Sequence, residues 1–380
     1  MATKNKHFFL PGLYGLRAIA AIVVFVSNMR HIVPMGGKSS IFDFKIFLES
    51  GIGVAFFFVL SGYLLTFGFW RDPENWIPFK TPIKFFFTRL LRLLPLYFIC
   101  LIGLVIYMQH WQSAKEIKDT IFHFLLIHNF FEFSFYSINS PFWTIPIQMQ
   151  FYLFLPVIMM LAYMTGHTRK KVFVILLFFS VICYSVHYLI AYSAVRLNEW
   201  PLNSIYIRPN GFVITKSVIA HLPIFIIGCA GSYLTFLNLK NKKSTSSLKL
   251  LKKIIFWSAI FVIFVISATS FESVMSPPYS RYVYPVLPVM IVLSIIYVEE
   301  SGLLPILEAG VLKYLGLISY GIYIFHMPCI KAVVKCLDFI GISPNENRMI
   351  LAIVSFLFTI FVSGCCHKYL EKPLFEYIEK

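Results

Sequence analysis

Charged residues are scarce in this chain of 380 residues, where Asp, Glu, Lys and Arg together make up 13%. A water-soluble domain carries about 25%, because charge keeps its surface hydrated. Acidic residues are the rarest, with 17 Asp and Glu against 33 Lys and Arg. Hydrophobic residues make up 58%, and the mean hydropathy is +0.77. The shortage of charge excludes a soluble enzyme, a secreted disulfide scaffold and a disordered chain, and it indicates a polytopic membrane protein.

The net charge of +16 does not indicate a nucleic-acid partner in a chain this apolar. In membrane proteins, basic residues concentrate in cytoplasmic loops next to anionic lipid headgroups. Membrane lipids are therefore predicted partners, and nucleic acid is not. The chain has only 7 cysteines, most of them in apolar runs without metal-ligand spacing, so no metal site is predicted. A cleavable signal peptide is not evident, because the first apolar run is too long for one.

Apolar stretches long enough to cross about 30 Å of hydrocarbon occur ten times. They lie near residues 15–34, 46–69, 93–109, 143–163, 172–193, 213–238, 254–271, 281–298, 311–334 and 349–367. A further run at 120–131 is too short to span, which predicts an interfacial or re-entrant segment. The predicted fold is an all-α membrane bundle of about ten transmembrane helices. It forms a single domain over residues 1–380, with no separate soluble domain.

The distribution of Lys and Arg orients this bundle. An even number of spans places both termini on one side of the membrane. The loops and tail on that side hold 19 Lys and Arg, and the opposite loops hold 9. By the positive-inside rule, both termini are predicted to be cytoplasmic. The composition, rich in Phe, Ile and Lys, favours a bacterial inner membrane.

The first span carries more polar groups than a lipid-facing helix tolerates. Arg17 lies near its cytoplasmic end, and Asn28, Arg30 and His31 lie in its outer half. Asn28 and His31 are three residues apart and share one face of the helix. Arg30 and His31 also fit interfacial residues that snorkel to the outer surface. Because an ionisable group inside a span costs free energy, Arg17 and the Asn28/His31 face are candidate functional residues.

The fourth span contains two glutamines, Gln148 and Gln150. Residues two apart on a helix point to different sides, so at least one of them faces the protein interior or a water-filled cavity. Hydrogen bonding between helices is the alternative interpretation for a membrane Gln.

The ninth span carries a polar-aromatic stripe. Tyr320, Tyr323 and His326 recur every third residue and so share a face. The stripe fits either the lining of a cavity or ordinary packing around a hydrogen-bonded core histidine.

A basic pair enters the third span at its cytoplasmic mouth. The preceding loop ends with Lys84, Arg89 and Arg92, and the two arginines share one helix face. Paired guanidinium groups bind phosphates bidentately. Plain positive-inside anchoring is the alternative.

Six segments, taken in order, resemble the acyltransferase-3 family of integral membrane acyltransferases. They are GLRAIAA (15–21), GVAFFFVLSGYL (53–64), RLLRLLPLY (89–97), WTIPIQMQFYL (143–153), ISYGIYIFHMP (318–328) and EKPL (371–374). Members of that family O-acylate carbohydrates such as lipopolysaccharide O-antigen and exopolysaccharide, usually with acetyl-CoA. The resemblance implies an O-acetyltransferase with acetyl-CoA as donor and a carbohydrate or lipid-linked glycan as acceptor. It implies the stand-alone form, without the extra esterase-like domain of some members.

The resemblance also implies roles for particular positions. In the family's first span an Arg precedes, by eleven residues, a His thought to act in acyl transfer. Arg17 matches that Arg, and the His position falls on Asn28. The family's span-four Glu falls on Gln148. Arg89 and Arg92 match basic residues suited to the CoA phosphates, and Arg17 is suited either to those phosphates or to an oxyanion.

The other polar and aromatic residues of the matching segments are expected to bind the acceptor. These residues are Trp143, Gln150, Tyr320, Tyr323 and His326.

The departures at Asn28 and Gln148 remove both titrating groups of the family's acid–base pair. Asn cannot carry a proton between steps, and Gln cannot act as a general base. Three explanations stay open. The pair was replaced to trap an inactive enzyme, or His31 substitutes for the missing His, or the chain is a diverged relative that binds or moves its ligand without catalysis.

Two other classes of function compete with acyl transfer. A transporter or flippase for a lipid-linked sugar or small solute would also use many spans with buried Arg, His and Gln. Such folds often contain inverted repeats, and none is evident in the sequence. A signalling or scaffold protein would need a sizeable soluble domain, whereas the hydrophilic stretches here are short. Saturable acetyl-CoA binding that depends on Arg89 and Arg92 separates these classes from the enzyme.

Overall fold

A computed structural model describes residues 12–32, 50–196, 218–240, 304–344 and 346–378. Regular secondary structure in these ranges is helical, and they contain no strand. The predicted spans near 254–271 and 281–298 lie outside the described residues.

The helices within these ranges are α1 (Leu13–Ile32), α2 (Ser50–Arg71), α3 (Ile77–Lys80), α4 (Pro82–Met108), α5 (Ala114–Phe124), α6 (Thr144–Gly166), α7 (Arg169–Arg196), α8 (Val218–Lys240), α9 (Leu304–Leu307), α10 (Gly310–Leu317), α11 (Ser319–Phe339), α12 (Arg348–Cys366) and α13 (Lys372–Ile378). Two 3₁₀ turns, His128–Phe130 and Ser140–Trp143, lie between α5 and α6. A π-helical turn, His367–Glu371, joins α12 to α13.

Five helical segments in the described part of the chain are long and apolar enough to cross a membrane. They are Gly53–Arg71, Pro82–Met108, Ser140–Gly166, Val218–Leu237 and Arg348–Glu376. The pair α10 and α11 makes a sixth if it counts as one broken span. These segments indicate an integral membrane protein with an all-helical architecture, as the sequence predicts. The total of ten spans stays a prediction.

The ninth predicted span, 311–334, is not one straight helix. It breaks at Ile318 into α10 and α11, which are bent relative to each other by 74°. The break coincides with a close approach between backbones. A Cβ on Gly316 would overlap the carbonyl oxygen of Tyr14 in α1. Hydropathy cannot reveal this bend, because the two halves together pass as one apolar stretch.

The third predicted span begins earlier than its apolar stretch at 93–109. Helix α4 starts at Pro82, a residue that suits the first turn because its missing N–H is not needed there. Arg89 and Arg92 therefore lie inside the helix, two to three turns from its start. The prediction that they belong to the end of the preceding loop is wrong.

Helices α2 and α8 pack with their backbones in contact. A Cβ on Gly62 would overlap the carbonyl oxygen of Phe225, and a Cβ on Gly228 would overlap that of Val59. Small residues permit this approach in membrane helix pairs, where van der Waals contact drives association. The packing fixes α2 beside the bundle core, and its Ser61 faces the cavity described next.

Candidate functional site

Polar side chains from five helices converge on one cavity between α1, α2, α4, α6 and α11. The cavity holds about 150 Å³. Its polar lining includes Arg17, Ser61, Arg89, Arg92, Thr144, Gln148, Tyr152, Tyr320 and Tyr323. Apolar side chains of α2, α4 and α6 complete the wall. Six residues singled out from the sequence thus meet here, although they come from four separate helices: Arg17, Arg89, Arg92, Gln148, Tyr320 and Tyr323.

The three arginines of the cavity lack close carboxylate partners. In the described ranges, no Asp or Glu oxygen forms an ion pair with Arg17, Arg89 or Arg92. The Arg89 guanidinium lies over the Phe85 ring, 5.5 Å from its centroid, and its Nε is buried without a hydrogen-bond partner. Like charges gathered in a partly buried space repel one another, so this arrangement favours binding of an anion.

The two glutamines of α6 point to different sides of the helix, which confirms the interpretation of their spacing. Gln148 lines the cavity, is only 8% exposed, and its Nε2 has no hydrogen-bond partner. Gln150 instead donates from Nε2 to Asn129 Oδ1 at 3.3 Å. Gln148 therefore offers a free N–H donor to whatever occupies the cavity, and Gln150 lies outside its lining.

The polar-aromatic stripe of α11 is divided between two environments. Tyr320 donates to the Leu93 carbonyl at 2.6 Å, and the Tyr323 hydroxyl donates to the Pro141 carbonyl at 3.0 Å. Both tyrosines line the cavity. His326 is fully buried, and its Nδ1 donates to the Tyr323 carbonyl at 2.8 Å. It is absent from the cavity wall.

Asn28 lies apart from the arginine cavity. It is 7% exposed, and its Nδ2 donates to the Val24 carbonyl of its own helix at 2.9 Å. Eleven residues separate it from Arg17, which is about 16 Å of helix rise. The backbone of His31 continues α1 a turn further, and its side chain lies outside the described residues, like that of Arg30.

Trp143 packs beside the cavity without lining it. The centroid of its ring lies 6.4 Å from the ring centroid of Phe58, 5.6 Å from that of Phe135 and 5.3 Å from that of His221. Phe58 is itself part of the cavity wall, so Trp143 supports that wall from behind.

Sequence reasoning missed three polar residues of the cavity: Tyr152, Ser61 and Thr144. Tyr152 follows Gln148 by four residues, one helical turn, so the shared face was a readable signal. Ser61 and Thr144 carry no such signal, because Ser and Thr bond readily to their own helix backbone. Ser61 donates to the Phe57 carbonyl, and Thr144 donates to that of Pro141.

A second polar cluster lies in the chain segment that connects α4 to α6, and it is centred on the buried Asp119 of α5. Its carboxylate accepts from His110 Nε2 at 2.8 Å and from the Ser134 hydroxyl. His123 Nδ1 donates to the backbone carbonyl of Asp119 at 3.0 Å and lies 3.3 Å from the carboxylate. The His123 ring stacks on the ring of His128, with centroids 3.9 Å apart. No group of three or more His, Cys, Asp or Glu side chains in the described ranges has the arrangement of a metal site.

Burial and hydrogen bonding oppose each other in this cluster. Burial raises the pKa of Asp119, but hydrogen bonds from His123, Ser134, Ser137 and His110 outweigh it and hold the pKa below its usual range. Burial, with a smaller contribution from the neighbouring His123, lowers the pKa of His128 to about 3. The cluster is therefore built from an ionised carboxylate and a neutral His128.

The segment that holds this cluster is expected to loosen in acid. Between about pH 3 and pH 6.5, His128 binds a proton more readily when the segment is locally unfolded than when it is folded. The free energy of local unfolding therefore falls as the pH falls through this window. At lower pH the protonation of Asp119 also destabilises the folded segment, because its pKa is lowered in the folded state. Amide hydrogen exchange of residues 109–139, corrected for intrinsic rates, should show faster opening at about pH 5 than at about pH 7.5.

The variant His128→Asn tests whether His128 causes this pH dependence. Asn keeps a donor for the Phe142 carbonyl, which His128 contacts at 3.2 Å, but does not titrate. This variant should reduce the difference in hydrogen exchange between about pH 5 and about pH 7.5. The control His167→Asn, at an exposed helix end, should leave that difference unchanged. An undiminished difference in His128→Asn would contradict the assignment.

Comparison with known proteins places these features among acyltransferases. The family model described as "Acyltransferase domain" matches residues 10–368. The chain is 24% identical over 393 residues to peptidoglycan O-acetyltransferase OatA of Listeria monocytogenes, covering 98% of this chain and 57% of OatA. It is 23% identical over 391 residues to Bacillus subtilis YrhL, provisionally named a peptidoglycan O-acetyltransferase, covering 97% and 55%.

A Staphylococcus aureus (strain COL) protein, provisionally named an O-acetyltransferase, is 24% identical over 353 residues, covering 87% of this chain and 52% of that protein. The chain thus spans about half the length of the curated relatives it matches. No solved structure matches it.

Proposed function

The chain belongs to the acyltransferase family, and from this premise we propose that it is a membrane O-acetyltransferase that moves an acetyl group from acetyl-CoA to a hydroxyl of a cell-surface carbohydrate. The observation that carries the proposal is the cavity in which Arg17, Arg89 and Arg92 meet Gln148 without a close carboxylate. An anionic, activated acyl donor complements both features.

Acetyl-CoA complements this cavity by charge, and the size of the cavity admits only the acetyl-thioester end of the donor. Arg89 and Arg92 lie at i and i+3 on α4, so both guanidinium groups can reach one phosphate-bearing ligand at the rim. The volume of about 150 Å³ is below the roughly 300 Å³ of a typical small-molecule pocket. The cavity therefore takes the acetyl-thioester end of the donor, and the phosphates stay at the arginines. By the predicted orientation, this mouth faces the cytoplasm.

The acceptor is proposed to be a carbohydrate, free or lipid-linked, that approaches from the far side of the membrane. Two relatives carry names that specify peptidoglycan. The proposal extends only the chemical class, a sugar hydroxyl, to this chain. Tyr320 and Tyr323 line the cavity and bring aromatic rings and hydroxyls to an incoming sugar. The proposed location is a bacterial inner membrane with both termini in the cytoplasm.

The transfer step joins the acceptor oxygen to the acetyl carbon while the carbon–sulfur bond breaks. The carbonyl oxygen becomes an oxyanion, which the free Nε2 of Gln148 or the Arg17 guanidinium stabilises. The thiolate leaves and takes a proton from water on the cytoplasmic side, and the acceptor hydroxyl gives its proton to water on its own side. Gln148 cannot accept that proton, and neither can Asn28. The sequence as it stands therefore predicts intact donor binding with slow transfer.

The purified chain in detergent is the starting point of the test. Calorimetry with acetyl-CoA should show saturable binding, and acetyl-labelled donor should label peptidoglycan fragments or lipopolysaccharide slowly but above a denatured control. Absence of donor binding would overturn the proposal in favour of a transporter. Binding without any transfer, even after restoration of the acid–base pair, would overturn the enzymatic role.

A further inference from the structure

The arginine cavity has an apolar end that the proposed mechanism does not use. Val54, Phe57 and Phe58 of α2 line this end together with Ile145 of α6. Ile145 lies in the first turn of α6, and residues 109–143 connect that turn to the C-terminal end of α4. Both helices are long enough to span, so these two ends lie on one side of the membrane. The paired arginines of α4 lie in its N-terminal half, so the apolar residues form the inner end of the cavity, away from the arginines.

The Phe58 ring is held at the inner end by rings from α8 and from the turn before α6. It is only 2% exposed, and it stacks on Phe225 of α8 with 4.4 Å between the ring centroids. His221 of α8 and Trp143 meet it edge to face, with centroids 5.5 Å and 6.4 Å away. Phe225 in turn stacks on Phe151 of α6 at 3.9 Å. Interiors packed this densely yield little, so the Phe58 ring is a fixed boundary.

The backbone that carries Phe58 is fixed as well. Helices α2 and α8 touch at the next residue along the chain, because a Cβ on Gly228 would overlap the carbonyl oxygen of Val59. One turn further, a Cβ on Gly62 would overlap the carbonyl oxygen of Phe225. Helix α2 therefore has no space to retreat toward α8 when a larger group contacts the ring.

Hydroxyl groups at the inner end come from α6 and α11, whereas the phenyl rings come from α2. Thr144 Oγ1 lies 2.9 Å from the Tyr323 hydroxyl, which donates to the Pro141 carbonyl at 3.0 Å. Phe57 packs edge to face on the Tyr323 ring, with centroids 5.8 Å apart. Ser61 of α2 donates its hydroxyl proton to the Phe57 carbonyl at 2.8 Å. The α2 side of the inner end therefore suits a hydrocarbon group, and the other side suits the hydroxyl of an acceptor.

We propose that Phe58, with Phe57 beside it, is the end wall that limits the acyl group of the donor to two carbons. The inference rests on the proposed function, since it takes the donor to be an acyl thioester of coenzyme A. With the phosphates at the arginines and the thioester carbonyl at Gln148, an acetyl methyl group points to these rings. Each further methylene would have to displace the ring stack, and one methylene in a hydrophobic pocket is worth about 10- to 200-fold in discrimination.

The test compares acetyl-CoA, butyryl-CoA and hexanoyl-CoA as ligands of the purified full chain, by calorimetry. Free coenzyme A carries no acyl group, so its affinity is the reference for the arginine part of the site. The unaltered chain should bind butyryl-CoA at least about tenfold more weakly than acetyl-CoA, and hexanoyl-CoA more weakly still. In Phe58→Ala the ratio of acetyl-CoA affinity to butyryl-CoA affinity should fall by at least about tenfold, because removal of the ring leaves room for the longer chain.

Phe56→Ala is the matched control, since Phe56 is a partly buried phenylalanine of the same helix that is not in the cavity wall formed by the described residues. It should leave the affinity ratio unchanged. Phe58→Leu is the second variant, because it keeps more of the packing than Phe58→Ala, and its ratio should fall several-fold. Thermal unfolding shows which variants keep the fold. A loosened fold would weaken the binding of all donors alike, so the ratio separates a size limit from a structural role.

Two results would overturn the inference while the proposed function survives. One is equal affinity of the unaltered chain for acetyl-CoA and hexanoyl-CoA, which would mean that the inner end admits a longer chain. The other is an unchanged affinity ratio in the folded Phe58 variants, or an equal change in Phe56→Ala. Absence of coenzyme A binding by the unaltered chain would instead contradict the proposed function, and this inference would fall with it.

Discussion

The double variant Asn28→His/Gln148→Glu is expected to transfer acetyl groups at least about a hundredfold faster than the unaltered chain. A positioned general base contributes roughly 10²- to 10⁴-fold, and neither Asn nor Gln can act as one. The measurement is the initial rate of labelled acetyl transfer to the carbohydrate acceptor at saturating acetyl-CoA. Donor affinity should fall, because the carboxylate introduced at position 148 opposes an anionic donor in the arginine cavity, and saturating acetyl-CoA removes this effect from the comparison of rates.

The single variants decide how the two positions share the chemistry. Gln148 lines the arginine cavity, whereas Asn28 lies about 16 Å along α1 from Arg17. A His at position 28 would thus act about 16 Å from Arg17, on the side from which the acceptor is proposed to approach. Full activity in Gln148→Glu alone would place the base in the cavity and remove Asn28 from the mechanism. No gain from the double variant would contradict the assignment of the acid–base pair.

His31 provides the control for any transfer by the unaltered chain. If His31 replaces the missing His, His31→Gln should abolish transfer by the unaltered chain. The same change made in the double variant should leave its higher rate in place. Residual transfer that survives His31→Gln would show that the imidazole at 31 is not the base.

Spacing within one helix made part of the site predictable from the sequence. Gln148 and Gln150 had to diverge because residues two apart on a helix differ by about 200°, and they do. The arginines were predictable because a guanidinium is costly in lipid and so must face protein, water or a ligand.

Contacts between helices made the rest unpredictable. The break at Ile318 accompanies the close approach of Gly316 to Tyr14, which no hydropathy pattern contains. Glu371 belongs to the terminal segment EKPL, and only the packing of its turn against α4 reveals that this carboxylate is buried. The family resemblance suggests that Asn28 and Gln148 act as a pair, whereas only Gln148 lines the arginine cavity.

Loss of both rim arginines is expected to weaken acetyl-CoA binding by at least about a hundredfold. Hydrogen bonds to charged groups contribute about 1.5–3 kcal/mol each, and Arg89→Gln/Arg92→Gln removes such bonds at two positions. Gln keeps much of the side-chain length and polarity, so the loss reports charge. Calorimetry with acetyl-CoA measures it, and Lys84→Gln, an exposed cation on the same helix, is the matched control with little expected change.

The charge-preserving variant Arg89→Lys/Arg92→Lys separates specific phosphate binding from membrane anchoring. Lys retains the positive charge but cannot form the bidentate contact, so affinity should fall in part, roughly tenfold. Added salt should weaken binding by the unaltered chain and have less effect on the Gln variant, since screening acts on the charges that the variant has lost. Equal affinity in the unaltered chain and the Gln variant would mean that Arg89 and Arg92 only anchor α4 at the membrane surface. The donor site would then have to be sought at Arg17 alone, whose replacement by Gln would abolish binding.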